Sequence, residues 1–325
     1  MKKIIIRTLG GKGIGYGHFY RCLSLAKAIK MLGTQIHINF IINDELVDLI
    51  YSSGFDYIVA NDLTEDIATL NNINPSLFIF DSYLGTNEYL RNIKEKTKLM
   101  LIDDNNDIYD SVIPDIIYNG NIFAEKLVYS ETEEQLRLLG PEYLIMKEEY
   151  WDNKDNSIPK EGILITTGGT DEHEIAIKLL EAIKGLDIKV KVIIGPGYRD
   201  EYIKQIEELK IENVELIYKP SSLKSYISSS KIVVTAGGST IYEVLSQRSI
   251  PVVFSIADNQ DLACKTLSHL GVEYMGKYPN IDYSRLAKTI ETIEVINAED
   301  KYSSIFKLVN NNGAKLVAKT VLKNI

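Results

Sequence analysis

The chain places one imidazole where a glycine-rich turn gives way to a helix-forming stretch. In Gly10-Gly11-Lys12-Gly13-Ile14-Gly15-Tyr16-Gly17-His18-Phe19-Tyr20-Arg21 the turn follows the apolar run Ile4-Ile5-Ile6. It precedes the helical spacing Cys22, Leu23, Leu25, Ala26 and Ile29. Histidine titrates near neutral pH, so His18, at the carboxyl end of a first strand, has the chemistry of a general base. The position also suits a capping histidine; the base is preferred because loop composition and chain position agree. Gly13, Gly15 and Gly17 let the backbone approach a bound molecule. The helix start adds unpaired N–H groups and the positive end of a dipole. Tyr16 stands where G-x-G-x-x-G needs its last glycine, and no lysine completes a P-loop, which counts against a dinucleotide dehydrogenase and an NTPase.

Two loops of the second half repeat this logic. Thr166-Thr167-Gly168-Gly169-Thr170-Asp171 ends one strand and is expected to open a helix. Thr235-Ala236-Gly237-Gly238-Ser239-Thr240 ends another and opens the helix that carries Glu243. Two such turns in one sheet can cradle a diphosphate, and a carboxylate one turn into a helix can accept from both ribose hydroxyls. Singly, each Gly-Gly pair is equally a tight turn and Glu243 a surface charge; together they favour a nucleotide diphosphate. Asp81-Ser82-Tyr83, Asp103-Asp104 and Ala257-Asp258-Asn259-Gln260 follow further strands. Asp258 reads as a helix N-cap, while Asn259 and Gln260 suit sugar or phosphate oxygens. Asp103 and Asp104 have no third ligand near in sequence, so no metal is expected, and no cofactor. His173 reads as solvated in a first helical turn, and His37 and His269 as structural.

These groups need strands to carry them. Strands are expected at 3–7, 35–41, 57–59, 77–80, 98–102 and 113–118, alternating with helices at 45–52, 65–72 and 87–95. The style repeats, with strands at 162–166, 189–194, 214–217, 232–235 and 252–254 and helices at 174–182, 200–210, 222–227, 240–246 and 260–270. Such alternation makes an α/β protein of two doubly wound, Rossmann-like parallel-sheet domains, 1–150 and 151–325, joined near 150–160. Ligands of open parallel sheets bind at strand carboxyl ends, so a cleft between the two domains is the expected site. The last helix, about 314–322, is expected to pack back on the first domain.

The 325 residues are 45% hydrophobic and 25% charged, the composition of a globular protein, and suffice for two domains. A net charge of −9 argues against nucleic acid as partner. Cys22 and Cys264 have no metal-type spacing and read as buried thiols of a reducing compartment. No apolar run is long enough for a signal peptide core or a membrane span, so the expected location is cytoplasmic. The oligomeric state is left open.

The glycine loop with Arg21-Cys22-Leu23-Ser24-Leu25-Ala26 resembles the I-G-x-G-H-x-x-R-C-L-x-L-A signature of the UDP-sugar hydrolases of pseudaminic acid biosynthesis. Spore-coat polysaccharide proteins share that signature. Ile102-Asp103-Asp104, Leu139-Gly140-Pro141-Glu142-Tyr143, Gly168-Gly169-Thr170-Asp171, Ala236 to Glu243 and Ala257 to Gln260 are similar in the same order, over residues 1 to about 270. The resemblance implies a GT-B fold of the MurG type, with UDP in the C-terminal domain and the sugar against the N-terminal one. It implies metal-independent hydrolysis of a UDP-linked acetamido sugar, with water attacking the anomeric carbon. His18 would be the base and Glu243 the ribose-binding acid. Gly13, Gly15, Gly17, Arg21, Asp81, Tyr83, Gly168, Gly169, Thr170, Gly237, Gly238, Ser239, Thr240, Asn259 and Gln260 would line the substrate site. A glycosyltransferase with a UDP-sugar donor and a non-catalytic nucleotide-sugar binder are the alternatives. Two departures, Ser82 where the family often has His and Leu9 where it has Asp, bear on the sugar rather than on the reaction.

Overall fold

Continuous apolar runs such as Ile4-Ile5-Ile6, Leu77-Phe78-Ile79-Phe80 and Leu99-Met100-Leu101-Ile102 suit strands buried on both faces, and all three become neighbouring parallel strands. The computed structural model describes residues 2–33, 35–130, 132–152 and 159–325, so most of the expected join lies outside the described residues. The chain forms two units, Met1–Trp151 with Asn310–Ile325, and Asp152–Val309. Among the described residues no helix is long and apolar enough to cross a membrane.

The first unit begins β1 (Lys2–Thr8), α1 (Gly17–Leu32), β2 (Ile36–Ile42), α2 (Val47–Ser53), β3 (Asp56–Val59) and α3 (Thr64–Ile73). It continues with β4 (Leu77–Asp81), α4 (Asn87–Lys94), β5 (Lys98–Ile102), β6 (Ile116–Asn119) and β7 (Leu136–Leu139). The sheet order is β3-β2-β1-β4-β5-β6-β7, all parallel, so the strand order reverses between β1 and β4. Alternate residues feed two cores: Ile4 and Ile6 join Phe19, Cys22, Leu25 and Ile29 of α1, while Ile5 joins Phe78, Phe80, Leu90 and Ile93.

The second unit runs β8 (Ile163–Thr166), α5 (Ile175–Ala182), β9 (Val190–Ile194), α6 (Asp200–Glu208), β10 (Val214–Tyr218) and α7 (Lys224–Ser229). Then come β11 (Ile232–Ala236), α8 (Thr240–Ser246), β12 (Ile250–Ser255), α9 (Asp258–His269), β13 (Glu273–Lys277), α10 (Leu286–Glu294) and α11 (Ala298–Phe306). Its order, β10-β9-β8-β11-β12-β13, reverses between β8 and β11. The final helix, α12 (Gly313–Lys323), lies in the first unit against α1. Ala314, Val317, Ala318 and Val321 make its fully buried stripe, at the spacing of one helical face.

Two edge strands, β7 and β13, escape the sequence pattern. Each has a single buried residue, Leu138 and Met275, because an edge strand does not need a continuous apolar run. The strand expected at 113–118 starts only at Ile116. Pro114 has no N–H for the ladder, and the Asp115 carboxylate instead accepts from Leu99 N at 2.8 Å.

At the end of β1, between Ile41 and Phe80, Arg7 is wholly buried. Its Nε donates to Asp66 Oδ2 of α3 at 2.9 Å, and Tyr89 OH of α4 donates to the same oxygen at 2.7 Å. Burial pushes the Asp66 carboxyl up, against the pull of Arg7. Arg7 Nη1 and Nη2 are buried without a partner among the described residues. A buried pair of this kind couples α3 and α4 to the sheet, and removing one partner strands the other charge. Arg7→Met is therefore expected to destabilise the protein by about 3–5 kcal/mol, with Arg7→Met/Asp66→Asn recovering most of the loss. Urea unfolding midpoints check this; a double variant no better than the single one would show that the charge pairing is not what matters.

Candidate active site

The loop after β1 is held from both sides. Asn43 clamps Gly10, accepting from its N at 3.1 Å and donating to its O at 2.7 Å, and Glu45 accepts from Lys12 N at 2.9 Å. Gly11 and Gly15 then pair with each other, N to O at 3.0 and 2.8 Å. Gly11, Gly13 and Gly15 all have positive φ, 119°, 86° and 84°, which explains the glycines. A side chain at Gly13, Gly15 or Gly17 would meet open space, so the loop is open on that side. Helix α1 starts at Gly17, putting His18 in its first turn.

His18 does not stand alone. Its Nδ1 lies 2.6 Å from Asp81 Oδ1, at the end of β4, and Asp81 is in register with Thr8 of β1. With a carboxylate acceptor at that distance, the neutral form of the ring is the one with its proton on Nδ1 and its lone pair on Nε2. The His18 side chain is 11% exposed and that of Asp81 1%. Arg21, one turn further along α1, donates to Asp81 through Nε at 2.9 Å and Nη2 at 2.8 Å. It also donates to Asp104, through Nη1 at 2.7 Å and Nη2 at 3.1 Å. Asp104 accepts further from Tyr83 OH and from Asn121 Nδ2, and Asn119 Nδ2 holds its backbone carbonyl. The Tyr83 ring meets the imidazole edge-on, centroids 4.6 Å apart.

Burial alone would raise the Asp81 carboxyl, but Arg21 and His18 outweigh it and hold the group below the usual carboxylate range. Asp104 is partly buried, and Arg21 with Tyr83 pulls its carboxyl well down against the effect of burial. Burial and Asp104 push the Tyr83 phenol up, so it remains a donor. Cys22 Sγ, 3.5 Å from Asp81 Oδ2, is likewise a thiol, pushed up by burial and by Asp81. Asp103 takes no part: it accepts from Tyr129 OH at 2.6 Å and Asn106 N at 2.7 Å. The two departures from the family pattern are turned inward. Ser82 Oγ accepts from Leu84 N within its own turn at 3.1 Å, and Leu9 is buried.

In the second unit the loops after β9, β8, β11 and β12, four adjacent strands, bear the remaining expected residues. Gly168, at φ 104°, with Gly169 and Thr170 forms an exposed turn. Gly195 and Gly197 buttress it: Gly197 N donates to Gly169 O at 2.9 Å, and a side chain at Gly195 would strike the Gly168 and Gly169 carbonyls. Helix α5 does not open there, contrary to expectation. It starts at Ile175, and Asp171 accepts from Ile175 N at 2.9 Å and Ala176 N at 2.8 Å, so the protein itself occupies those helix amides. Helix α8 does start directly after Gly238, and the N–H groups of Ser239 and Thr240 bond to no protein acceptor among the described residues. Gly238 faces open space, whereas Gly237 is small because Cys264 Sγ and Gln260 Cβ abut it. Glu243 is 4% exposed, not a surface charge.

Gln260 Oε1 accepts from Ile256 N at 3.1 Å, so this side chain helps to start α9, and Asn259 is exposed. Asp258 is not the expected N-cap: Ala257 takes that place and Asp258 pairs with Lys277. His173 precedes α5 and is stacked on Tyr278, centroids 3.9 Å apart, rather than solvated. His37 faces Asp56 at 3.5 Å and His269 ends α9 exposed. Asn43, Glu45, Asn119, Asn121, Gly195 and Gly197 were not singled out from the sequence. Gly195-Pro196-Gly197 directly after an apolar run was a readable signal; isolated Asn and Glu residues gave none.

Residues 163–321 match the glycosyltransferase family 28 C-terminal domain. An uncharacterized protein of Methanocaldococcus jannaschii is 29% identical over 77% of this chain, and the match spans about half, 55%, of that protein. The spore coat polysaccharide biosynthesis protein SpsG of Bacillus subtilis is 25% identical, covering 81% of this chain and 80% of SpsG. The UDP-2,4-diacetamido-2,4,6-trideoxy-beta-L-altropyranose hydrolase of Campylobacter jejuni is 23% identical, covering 85% of this chain and all of the enzyme, 100%. Among solved structures, MurG of Acinetobacter baumannii superposes with a TM-score of 0.71 at 12% identity, over 99% of each chain. The resemblance carried by the motifs therefore holds, and this protein is a distant relative of the UDP-sugar hydrolases of pseudaminic acid biosynthesis and of SpsG, built on the GT-B fold.

Proposed function

We propose that the protein hydrolyses a UDP-linked acetamido sugar to UDP and the free sugar, with His18 as general base. The observation that carries this reading is the His18–Asp81 pair, Nδ1 to Oδ1 at 2.6 Å, at the reversal point of the first sheet. Asp81 holds the ring so that Nε2 can accept a proton, and its charge favours the imidazolium that results. Water loses that proton to Nε2 as its oxygen bonds to the anomeric carbon. The bond from that carbon to the diphosphate oxygen breaks, and UDP leaves with the electron pair. Such a base contributes roughly a hundred- to ten-thousand-fold.

In this proposal the second unit holds the nucleotide. Thr170 and the amides of Gly168 and Gly169, which bond to no acceptor among the described residues, form one side of the diphosphate cradle; the amides of Ser239 and Thr240 at the start of α8, next to Gly237 and Gly238, form the other. Glu243 takes the ribose hydroxyls, and Asn259 and Gln260 Nε2 supply further polar contacts. The first unit supplies the base and the sugar-facing surface, with Gly13, Gly15, Gly17 and Tyr83 around His18. The name of the Campylobacter enzyme supports a UDP-linked diacetamido sugar as substrate, and that of SpsG supports a place in polysaccharide synthesis. A transferase would present an acceptor hydroxyl where the hydrolase presents water, on the same fold.

His18→Asn is expected to abolish turnover and leave UDP affinity nearly unchanged. Activity within a few-fold of the parent enzyme would remove His18 from the mechanism. With a panel of UDP-linked acetamido sugars in oxygen-18 water, UDP and free sugar are expected in equal amounts without any acceptor, with the label in the sugar. Label in UDP would mean attack at phosphorus, and UDP release only with an added alcohol would make the protein a transferase. For Glu243, UDP is expected to bind tighter than its 2′,3′-dideoxy analogue by about 1.5–3 kcal/mol, measured by calorimetry. Equal affinities would exclude Glu243 from ribose recognition.

A further inference from the structure

Resting on the reading of His18 as the base, we infer that Arg21 and Asp104 form a charge-compensated brace that sets the basicity of His18 through Asp81. They act as positioning residues and do not touch substrate. Arg21 was expected among the substrate contacts, yet Nε, Nη1 and Nη2 all donate to the two carboxylates. Four of the five guanidinium N–H groups are thereby committed to carboxylates, so most of its hydrogen-bonding capacity is already taken up before a sugar or phosphate arrives. The brace is itself fixed: Asp104 is tied to Tyr83, Asn121 and Asn119, so a line of hydrogen bonds runs from the end of β6 through Asp104, Arg21 and Asp81 to His18.

The charges bear on the ring directly. Arg21 Nη2 is 3.3 Å from His18 Nδ1 and opposes protonation of the ring; Asp81 and Asp104 favour it. The titratable groups around the imidazole are Asp81 at the end of β4, Tyr83 in the loop after it, Asp104 after β5, and Arg21 and Cys22 on α1. Further out lie Asp103, engaged by Tyr129, and Tyr118 of β6, whose OH accepts from Ile145 N. Cys22, Tyr83 and Tyr118 are all pushed up, mainly by burial, and carry no charge near neutral pH. Among the described residues, then, Asp81, Arg21 and Asp104 are the charges in the immediate shell of the imidazole, with one negative charge in net.

The signs follow. Arg21→Met removes the opposing cation, so His18 titrates at higher pH and the acid limb of kcat/KM moves up with it. Asp104→Asn leaves Arg21 to Asp81 alone, so His18 titrates lower and the limb moves down. Arg21→Met/Asp104→Asn restores the net charge and returns the midpoint toward the parent value. A merely structural role predicts no such opposition of sign.

The test is a pH titration of histidine-15N-labelled full-length protein by long-range 1H–15N correlation, which resolves the tautomer and midpoint of each of the four histidines. His18 is assigned by its absence in His18→Asn. The expected result is a neutral Nδ1–H tautomer, with the midpoint about one unit higher in Arg21→Met and about one unit lower in Asp104→Asn. The double variant is expected within about half a unit of the parent protein. If Arg21→Met alone does not fold, Asp104→Asn and the double variant still give the comparison. Single variants shifting in the same direction, or a double variant no nearer the parent, would overturn the brace. The titration needs no substrate: failure of every UDP-sugar to turn over would sink the hydrolase reading and leave this result standing.

Discussion

A buried carboxylate has to be met by cations and donors, and Asp81 is the carboxylate on which the first unit's site depends. It sits at the end of β4 with its side chain 1% exposed, where desolvation would neutralise it unless partners were fixed in place. Helix α1 supplies them from one face: His18, Arg21 and Cys22 are three and four residues apart, the spacing that brings helical side chains together. The docking of α1, the clamped glycine loop that leads into it, and the reversal of strand order between β1 and β4 all serve this junction. Satisfying the buried charge and aiming the imidazole are one interaction.

The second unit repeats the topology with other chemistry. Its reversal point, between β8 and β11, is marked by the turns at Gly168-Gly169 and Gly237-Gly238. Asp171 fills the first amides of α5, so the expected symmetry of two open helix starts is broken. On the β8 side, the exposed turn at Gly168-Gly169 offers its own amides and is propped by the Gly195–Gly197 loop. On the β11 side the Ser239 and Thr240 amides at the start of α8 have no protein acceptor among the described residues. Backbone donors hold an anion without a competing buried charge, whereas moving a proton needs a titratable side chain. The proposed division of labour matches this difference between the two units.

The GT-B fold is shared by enzymes that transfer sugars, so fold alone does not choose between water and an alcohol as nucleophile. The proposed base, His18, is carried on helix α1 and held by a carboxylate that is itself bonded to Arg21, which in turn is bonded to Asp104. Such a base is preorganised, with little left to rearrange when a substrate arrives.

The sequence by itself determined much of this protein. Continuous apolar runs specify parallel strands, because only strands covered on both faces need them, and the glycines at Gly11, Gly13 and Gly15 reveal a turn with positive φ. His18 was legible because its loop context is local, within a dozen residues. Partnerships across the sheet were not. Asp81 and Asp104 lie 60 and 83 residues from Arg21, and nothing in their own neighbourhoods says that strand order will bring them to one helix. The single-residue burial of edge strands β7 and β13, the capture of the α5 amides by Asp171 and the His173–Tyr278 stack are likewise decided by what packs alongside. Periodicity and turn chemistry act within one element, so sequence records them directly. Which buried charge finds which partner depends on how the elements are ordered in space, and that only the tertiary structure fixes.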